Sequence, residues 1–161
     1  VNVHEASPNR IPWPPLILVA SVAASLVLNA VVPVGLGGHA VVRLCGLLIL
    51  ACGLLLDLLA MATMGRARTN ILPHRPADRL LTHGVFAWSR NPIYLGNVLL
   101  LIGGGLVSDI AWFLPAAVAA MALTDRLAVR REEAHLAAKF GNAYRQYART
   151  TRRWFGRVRP S

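Results

Sequence analysis

A chain of 161 residues that is 55% hydrophobic, with a mean hydropathy of +0.50, has room for one domain and a far larger share of apolar side chains than a soluble core requires. Its formal charge of +10 is almost wholly arginine, because Lys139 is the only lysine. On so apolar a chain this basic excess points to membrane-flanking loops and lipid headgroups, not to nucleic acid, and the scattered histidines and two cysteines offer no zinc spacing, so no metal is expected.

The first apolar run covers 14–32 and is read as a retained membrane span, because polar residues precede it where a signal peptide carries positive charge. At ~1.5 Å per residue it reaches ~28 Å, close to the ~30 Å of bilayer hydrocarbon. A Pro/Gly-rich turn at 33–38 leads into a second run, 39–64, long enough to cross with tilt. Cys45 and Cys52 lie seven apart inside this run and cannot bridge on a helix. Asp57 also lies within it. It is either a functional intramembrane acid or a carboxylate paired near the helix end with Arg66 or Arg68.

The connector 65–90 carries Arg66, Arg68, Arg75, Arg79 and Arg90 together with Pro73 and Pro76, so an irregular segment is expected. Pro92 suits the first turn of a helix over 93–107. Ser108 and Asp109 mark a tight reversal, and a returning helix occupies 110–127. The sequence therefore predicts an all-α, integral membrane protein of about four transmembrane helices. With arginines concentrated in 65–90 and after Asp125, both termini and the connector face the cytoplasm of the cell inner membrane.

Beyond the spans, 128–155 is expected on the cytoplasmic side. Val129, Glu133, Leu136, Ala137 and Phe140 share a helical face, which directs Glu133 inward and leaves Glu132 nearer solvent. Gly141 fits a helix stop and Asn142 an N-cap. Tyr144, Tyr147, Ala148, Thr151 and Phe155 then oppose Arg145, Arg149, Arg152 and Arg153. This pattern predicts a cytoplasmic C-terminal amphipathic helix with its aromatics at headgroup level.

The segment 82–96 reads THGVFAWSRNPIYLG. With Thr82, Gly84, Phe86, Ser89, Arg90, Asn91, Pro92, Tyr94 and Gly96 in register, it resembles the signature of the integral membrane methyltransferases that include isoprenylcysteine carboxyl methyltransferase and phospholipid (phosphatidylethanolamine) N-methyltransferase. Val85 stands where the pattern commonly has proline, and Asn91 where the prenylcysteine enzymes usually have histidine. Glu132, Glu133, Leu136, Phe140, Gly141, Tyr144 and Tyr147 match a second block of that family. Asn70, Pro73, Arg75, Pro76 and Leu80 are similar to the connector of its bacterial members. The resemblance spans about 50–155 and implies that the two blocks form a pocket for S-adenosylmethionine.

The residue chemistry fits such a ligand. Arg90, at a helix start, can take a carboxylate by two points, helped by the free N–H groups around Asn91 and Pro92. Glu132 or Glu133 can hold the ammonium or the ribose hydroxyls. Tyr94 and Tyr144 offer aromatic surface, with Tyr94 placed for adenine or sulfonium, and Gly96 permits close approach. Glu133, able to accept a proton from an amine acceptor, and Arg149, in the basic stretch after the tyrosines, are the catalytic candidates. The expected function is methyl transfer from S-adenosylmethionine to a lipophilic or membrane-resident carboxylate, thiol or amine. The alternative is a noncatalytic membrane scaffold that keeps the fold.

Overall fold

The computed structural model describes residues 11–68 and 79–158; Asn70, Pro73, Arg75 and Pro76 lie outside them. In chain order the elements are α1 (Trp13–Val31), α2 (Ala40–Arg66), a 3₁₀ turn (Gly84–Ala87), α3 (Pro92–Ser108), α4 (Phe113–Thr124), a π turn (Asp125–Val129), α5 (Arg130–Phe140) and α6 (Asn142–Thr150). Among the described residues the only β pairing is one isolated antiparallel bridge, Thr151 to Arg157.

α1 and α2 are each long and apolar enough to cross a bilayer, whereas α3 and α4 are shorter. In α2 the burial pattern is the reverse of a soluble helix. Leu44, Leu47, Leu48, Leu54, Leu55, Leu58 and Leu59 are exposed, and the buried residues are Gly46, Gly53 and Ala60, seven apart. Leucine gains nothing by leaving lipid for protein, so a membrane helix turns small residues to its neighbour and lets the backbones meet. α2 accordingly packs on α3, with α3 also on α4 and α4 on α1. A methyl group added at Gly46 would lie 2.7 Å from Leu106 Cβ, and one at Gly103 would lie 2.6 Å from the Leu50 backbone nitrogen. Gly103→Leu is therefore expected to part the two helices. Loss of a monodisperse purified protein, with Gly104→Leu tolerated because space there is open, is the outcome that checks it.

The main core joins α1, α3 and α4 through Ile17, Leu101, Phe113, Ala117 and Ala120. At one end of the bundle the loops are tied together. Asp109, left-handed at φ +58°, ends α3 and accepts the Leu36 and Gly38 N–H groups at 2.7 and 3.0 Å, while Trp112 Nε1 donates to the Val32 carbonyl at 2.8 Å. The reversal expected at Ser108 and Asp109 is present, with the returning helix starting at Phe113 after a short turn.

The helical path from α4 into α5 does not break; it widens through the π turn. One such turn inserts an extra residue into the helical register and is common where function needs a side chain re-aimed. α5 stops at Gly141, whose φ of +53° suits glycine, and α6 begins at Asn142 with Gly141 in the cap position.

Candidate functional site

At the end of the bundle where α2 finishes and α3 starts, the segment after the 3₁₀ turn is shaped by Ser89 and Pro92. Buried Ser89 accepts the Asn91 N–H on its Oγ at 3.1 Å, and Pro92 takes the first position of α3, where no N–H is needed. This geometry delivers Arg90 inward, with its side chain only 14% exposed.

Arg90 Nη1 lies 3.0 Å from Glu133 Oε1 and donates to the Tyr144 hydroxyl, also at 3.0 Å. Glu133 is gripped from its other side by Arg153, whose Nε and Nη2 meet its two oxygens at 3.0 and 2.7 Å. The remaining Nη1 of Arg153 donates to Asp125 Oδ1 at 3.0 Å. Beside this network Tyr94 donates to Glu132 Oε1 at 2.6 Å. Arg90 and Arg153 thus face Asp125 and Glu133, with Glu132 held separately on a phenol.

Both glutamates face inward, and Glu132 does not lie nearer solvent as the helical wheel suggests. Each sits four residues after a fully buried one, Glu132 after Ala128 and Glu133 after Val129. Ala128 is too small to mark a buried ridge in a hydrophobic pattern, so the wheel follows Val129 alone. Burial raises the Glu132 carboxyl to about 7; the Glu133 charge adds to the rise, and the Tyr94 hydrogen bond opposes it. Burial also raises the hydroxyls of Tyr144 and Tyr147, and the Glu133 carboxylate holds the Arg153 guanidinium above its usual range.

The C-terminal segment forms a hairpin, not a longer amphipathic helix. α6 ends at Thr150, the Thr151–Arg157 bridge closes the loop, and Gly156 turns it at φ +109°. This hairpin is strapped to 87–91. The Arg90 N–H donates to the Arg152 carbonyl at 3.2 Å, the Gly156 N–H to the Trp88 carbonyl at 2.7 Å, and Asn91 Nδ2 to the Arg153 carbonyl at 3.2 Å. Tyr144 and Tyr147 are buried and face protein, not headgroups; Tyr147 donates to the Phe86 carbonyl at 2.6 Å.

Of the residues singled out from sequence, Arg90, Glu133 and Tyr144 come together directly, with Tyr94 and Glu132 alongside. Asn91 serves the strap, and Pro92 sets the helix start. Arg149 is exposed on α6 and pairs with none of these groups; of the arginines that follow the tyrosines, Arg153 is the one that reaches Glu133. The two threonines before Arg152, followed by Gly156, are the signal that removes 151–157 from a helical wheel.

The Gly96 notch is filled by Asp57, not left open. A methyl there would collide with the Asp57 carboxyl, and Asp57 Oδ1 is buried without a hydrogen-bond partner. No ion pair joins Asp57 to Arg66 or Arg68. Gly96→Ala is therefore expected to destabilise the protein by about 1–3 kcal/mol as overpacking does, and Asp57→Ala in the same chain to recover most of it. Thermal unfolding of the single and double variants decides; independent, additive effects would contradict the contact.

The profile of the phospholipid methyltransferase family matches residues 41–143, well over half of the chain. The chain belongs to that family. A solved structure of the eukaryotic intramembrane Ras methyltransferase, isoprenylcysteine carboxyl methyltransferase, is similar across 89% of this chain, with 27% identity and a TM-score of 0.62. This chain spans about half, 52%, of that protein's length. Comparison with curated protein sequences returns no match. The match to a membrane methyltransferase agrees with the all-helical architecture and lipid-facing leucines of this family member.

Proposed function

We propose that the chain is an S-adenosylmethionine-dependent methyltransferase acting on a lipophilic or membrane-resident acceptor at the cytoplasmic membrane face. The observation that carries this reading is Arg90, a buried guanidinium whose Nε has no hydrogen-bond partner, set beside two glutamates. A buried donor left unpaired costs stability unless a ligand completes it. Arg90 would hold the carboxylate of the donor's amino-acid moiety, Glu133 or Glu132 its ammonium, and Tyr94 or Tyr144 its aromatic or sulfonium part. When bound, the donor supplies an activated methyl group and leaves as a neutral thioether, so the leaving group needs no acid.

The residues of this chain then have to orient the acceptor and exclude water. Glu132, at about 7, is positioned to exchange a proton near neutrality, which an amine acceptor requires. The site lies where two apolar helices end, so a donor can arrive from water and an acceptor from lipid. Arginine placement supports the cytoplasmic orientation.

Calorimetric titration of the purified protein with S-adenosylhomocysteine tests the reading: saturable binding is expected, and none at millimolar ligand would leave a scaffold that merely keeps the fold. The pH dependence has a defined sign. Ligand ammonium favours ionised Glu132, so affinity is expected to rise as pH rises through about 7, by at most about tenfold per pH unit. Over the same range fold stability falls with rising pH, because the folded carboxyl retains a proton that the unfolded one, at 4.5, has already lost. Glu132→Gln should flatten the affinity profile; an unchanged profile would show that another group titrates.

A further inference from the structure

Trp88 and Phe155 are 53% and 67% exposed, yet they stack on each other with centroids 6.3 Å apart and planes inclined by 22°. Arg157 lies over Trp88, its Cζ 5.5 Å from the ring centroid, and its Nε donates to the Ala87 carbonyl at 3.3 Å. Behind this trio a cleft of about 450 Å³ is lined by Thr82, Gln146, Tyr147, Thr150 and Arg157 among others, with no acidic side chain. No acidic group among the described residues pairs with Arg149, Arg152 or Arg157, whereas Arg90, Arg130 and Arg153 are all paired.

The position of the trio along the bundle identifies its surroundings. Trp88 lies four residues before Pro92, where α3 begins, and the 3₁₀ turn immediately before it touches the last turns of α2, with Gly84 against Thr63. Both apolar helices therefore end at the level of the trio, which is where tryptophan meets lipid headgroups. An exposed aromatic pair, a guanidinium with no acidic partner among the described residues and a polar cleft without acids together suit an amphiphile with an anionic head.

We infer that this cleft binds the phosphate headgroup of an anionic phospholipid, with Arg157 taking the phosphate, the Thr82 hydroxyl and the Gln146 amide donating to its oxygens, and Trp88 and Phe155 packing on the upper acyl chains. The site has a consequence for the donor pocket, and that part rests on the function proposed above. Arg157 and Phe155 belong to the hairpin that presents Arg153 to Glu133, so a lipid held on its outer side keeps the hairpin against 87–91. The membrane surface then acts as a closing partner of the site.

Native mass spectrometry of the full chain released from nanodiscs of phosphatidylcholine and phosphatidylglycerol in equal parts tests the site. Selective retention of phosphatidylglycerol is expected, lost in Arg157→Gln and weakened in Phe155→Ser. Equal retention of the two lipids, or unaltered retention in Arg157→Gln, would overturn it. Displacement of the lipid by millimolar inorganic phosphate would instead assign the cleft to a free anion and equally overturn the lipid assignment. Affinity for S-adenosylhomocysteine gives the second readout. It is expected to be about fivefold tighter in the mixed discs than in phosphatidylcholine alone, the effect of one arginine at an anionic surface, and equal in both for Arg157→Gln. Equal affinity of the wild-type chain in both discs would refute the coupling. No binding in either would sink the donor site itself while lipid retention still decides the cleft.

Discussion

Arg90→Ala is expected to weaken S-adenosylhomocysteine binding by about thirtyfold or more, since truncating one member of a buried, hydrogen-bonded charge pair typically costs about 2–5 kcal/mol. The substitution removes the proposed carboxylate partner and also strips Glu133 and Tyr144 of a shared contact at 3.0 Å. Arg90→Lys separates the two effects. It keeps the charge beside Glu133 but not the planar fork, so unfolding temperature should stay near that of the wild type while affinity still falls by at least about tenfold. Wild-type affinity in Arg90→Lys would show that a point charge suffices and that the guanidinium has no bidentate ligand.

Arg153→Ala is the second large effect. Glu133 has a side chain only 16% exposed, and Arg153 supplies both oxygens with a partner; Asp125 loses one of its two arginines as well. Removing one partner of an ion pair this buried is expected to cost about 3 kcal/mol, somewhat less where water reaches the arginine. The loss should appear as a lowered unfolding temperature together with weakened donor binding. Arg149→Ala, at an exposed position on α6, should leave both near wild type. Ending the chain after Thr150 removes Arg153 with its hairpin and is expected to be at least as damaging as Arg153→Ala alone. If Arg149→Ala proved the more harmful single change, the strap would not be what closes the site.

The parts of this architecture that were legible in sequence are those decided locally. α1 and α2 follow from uninterrupted apolar runs, and the start of α3 follows from a proline that needs no N–H. Gly141 marks a stop because few other residues tolerate its φ. Arg90, Glu133 and Tyr144 were recognisable as a set because their spacing belongs to a family pattern. What was hidden depends on distant partners. The face carrying Tyr144 and Tyr147 has the same amphipathic signature whether it meets lipid or protein, and only tertiary packing shows that it meets protein. The Gly96 notch reads as room for a ligand until Asp57, on another helix, is found within it. The π turn leaves no mark in a hydrophobic period, yet it carries Asp125 into the Arg153 contact and holds the two adjacent buried residues, Ala128 and Val129, four places before the inward-facing glutamates.

Glu133 is locked between two arginines, whereas Glu132, raised to about 7 by burial, is free to change protonation near neutrality. Such a division suits a site that must hold a charged donor and also accept a proton from an amine. A thiolate or carboxylate acceptor has no proton to give up and would leave Glu132 idle.

The most direct test of the proposed activity follows the methyl group itself. The purified protein, supplied with methyl-labelled S-adenosylmethionine and a total membrane lipid extract, is expected to place label in the lipid phase, and Arg90→Ala to abolish the transfer. The chemical group that carries the label would name the acceptor. Label confined to small polar thiols or carboxylates would contradict a lipid-side acceptor, and no transfer to any acceptor offered, from a protein that binds neither donor nor product, would contradict the methyltransferase itself.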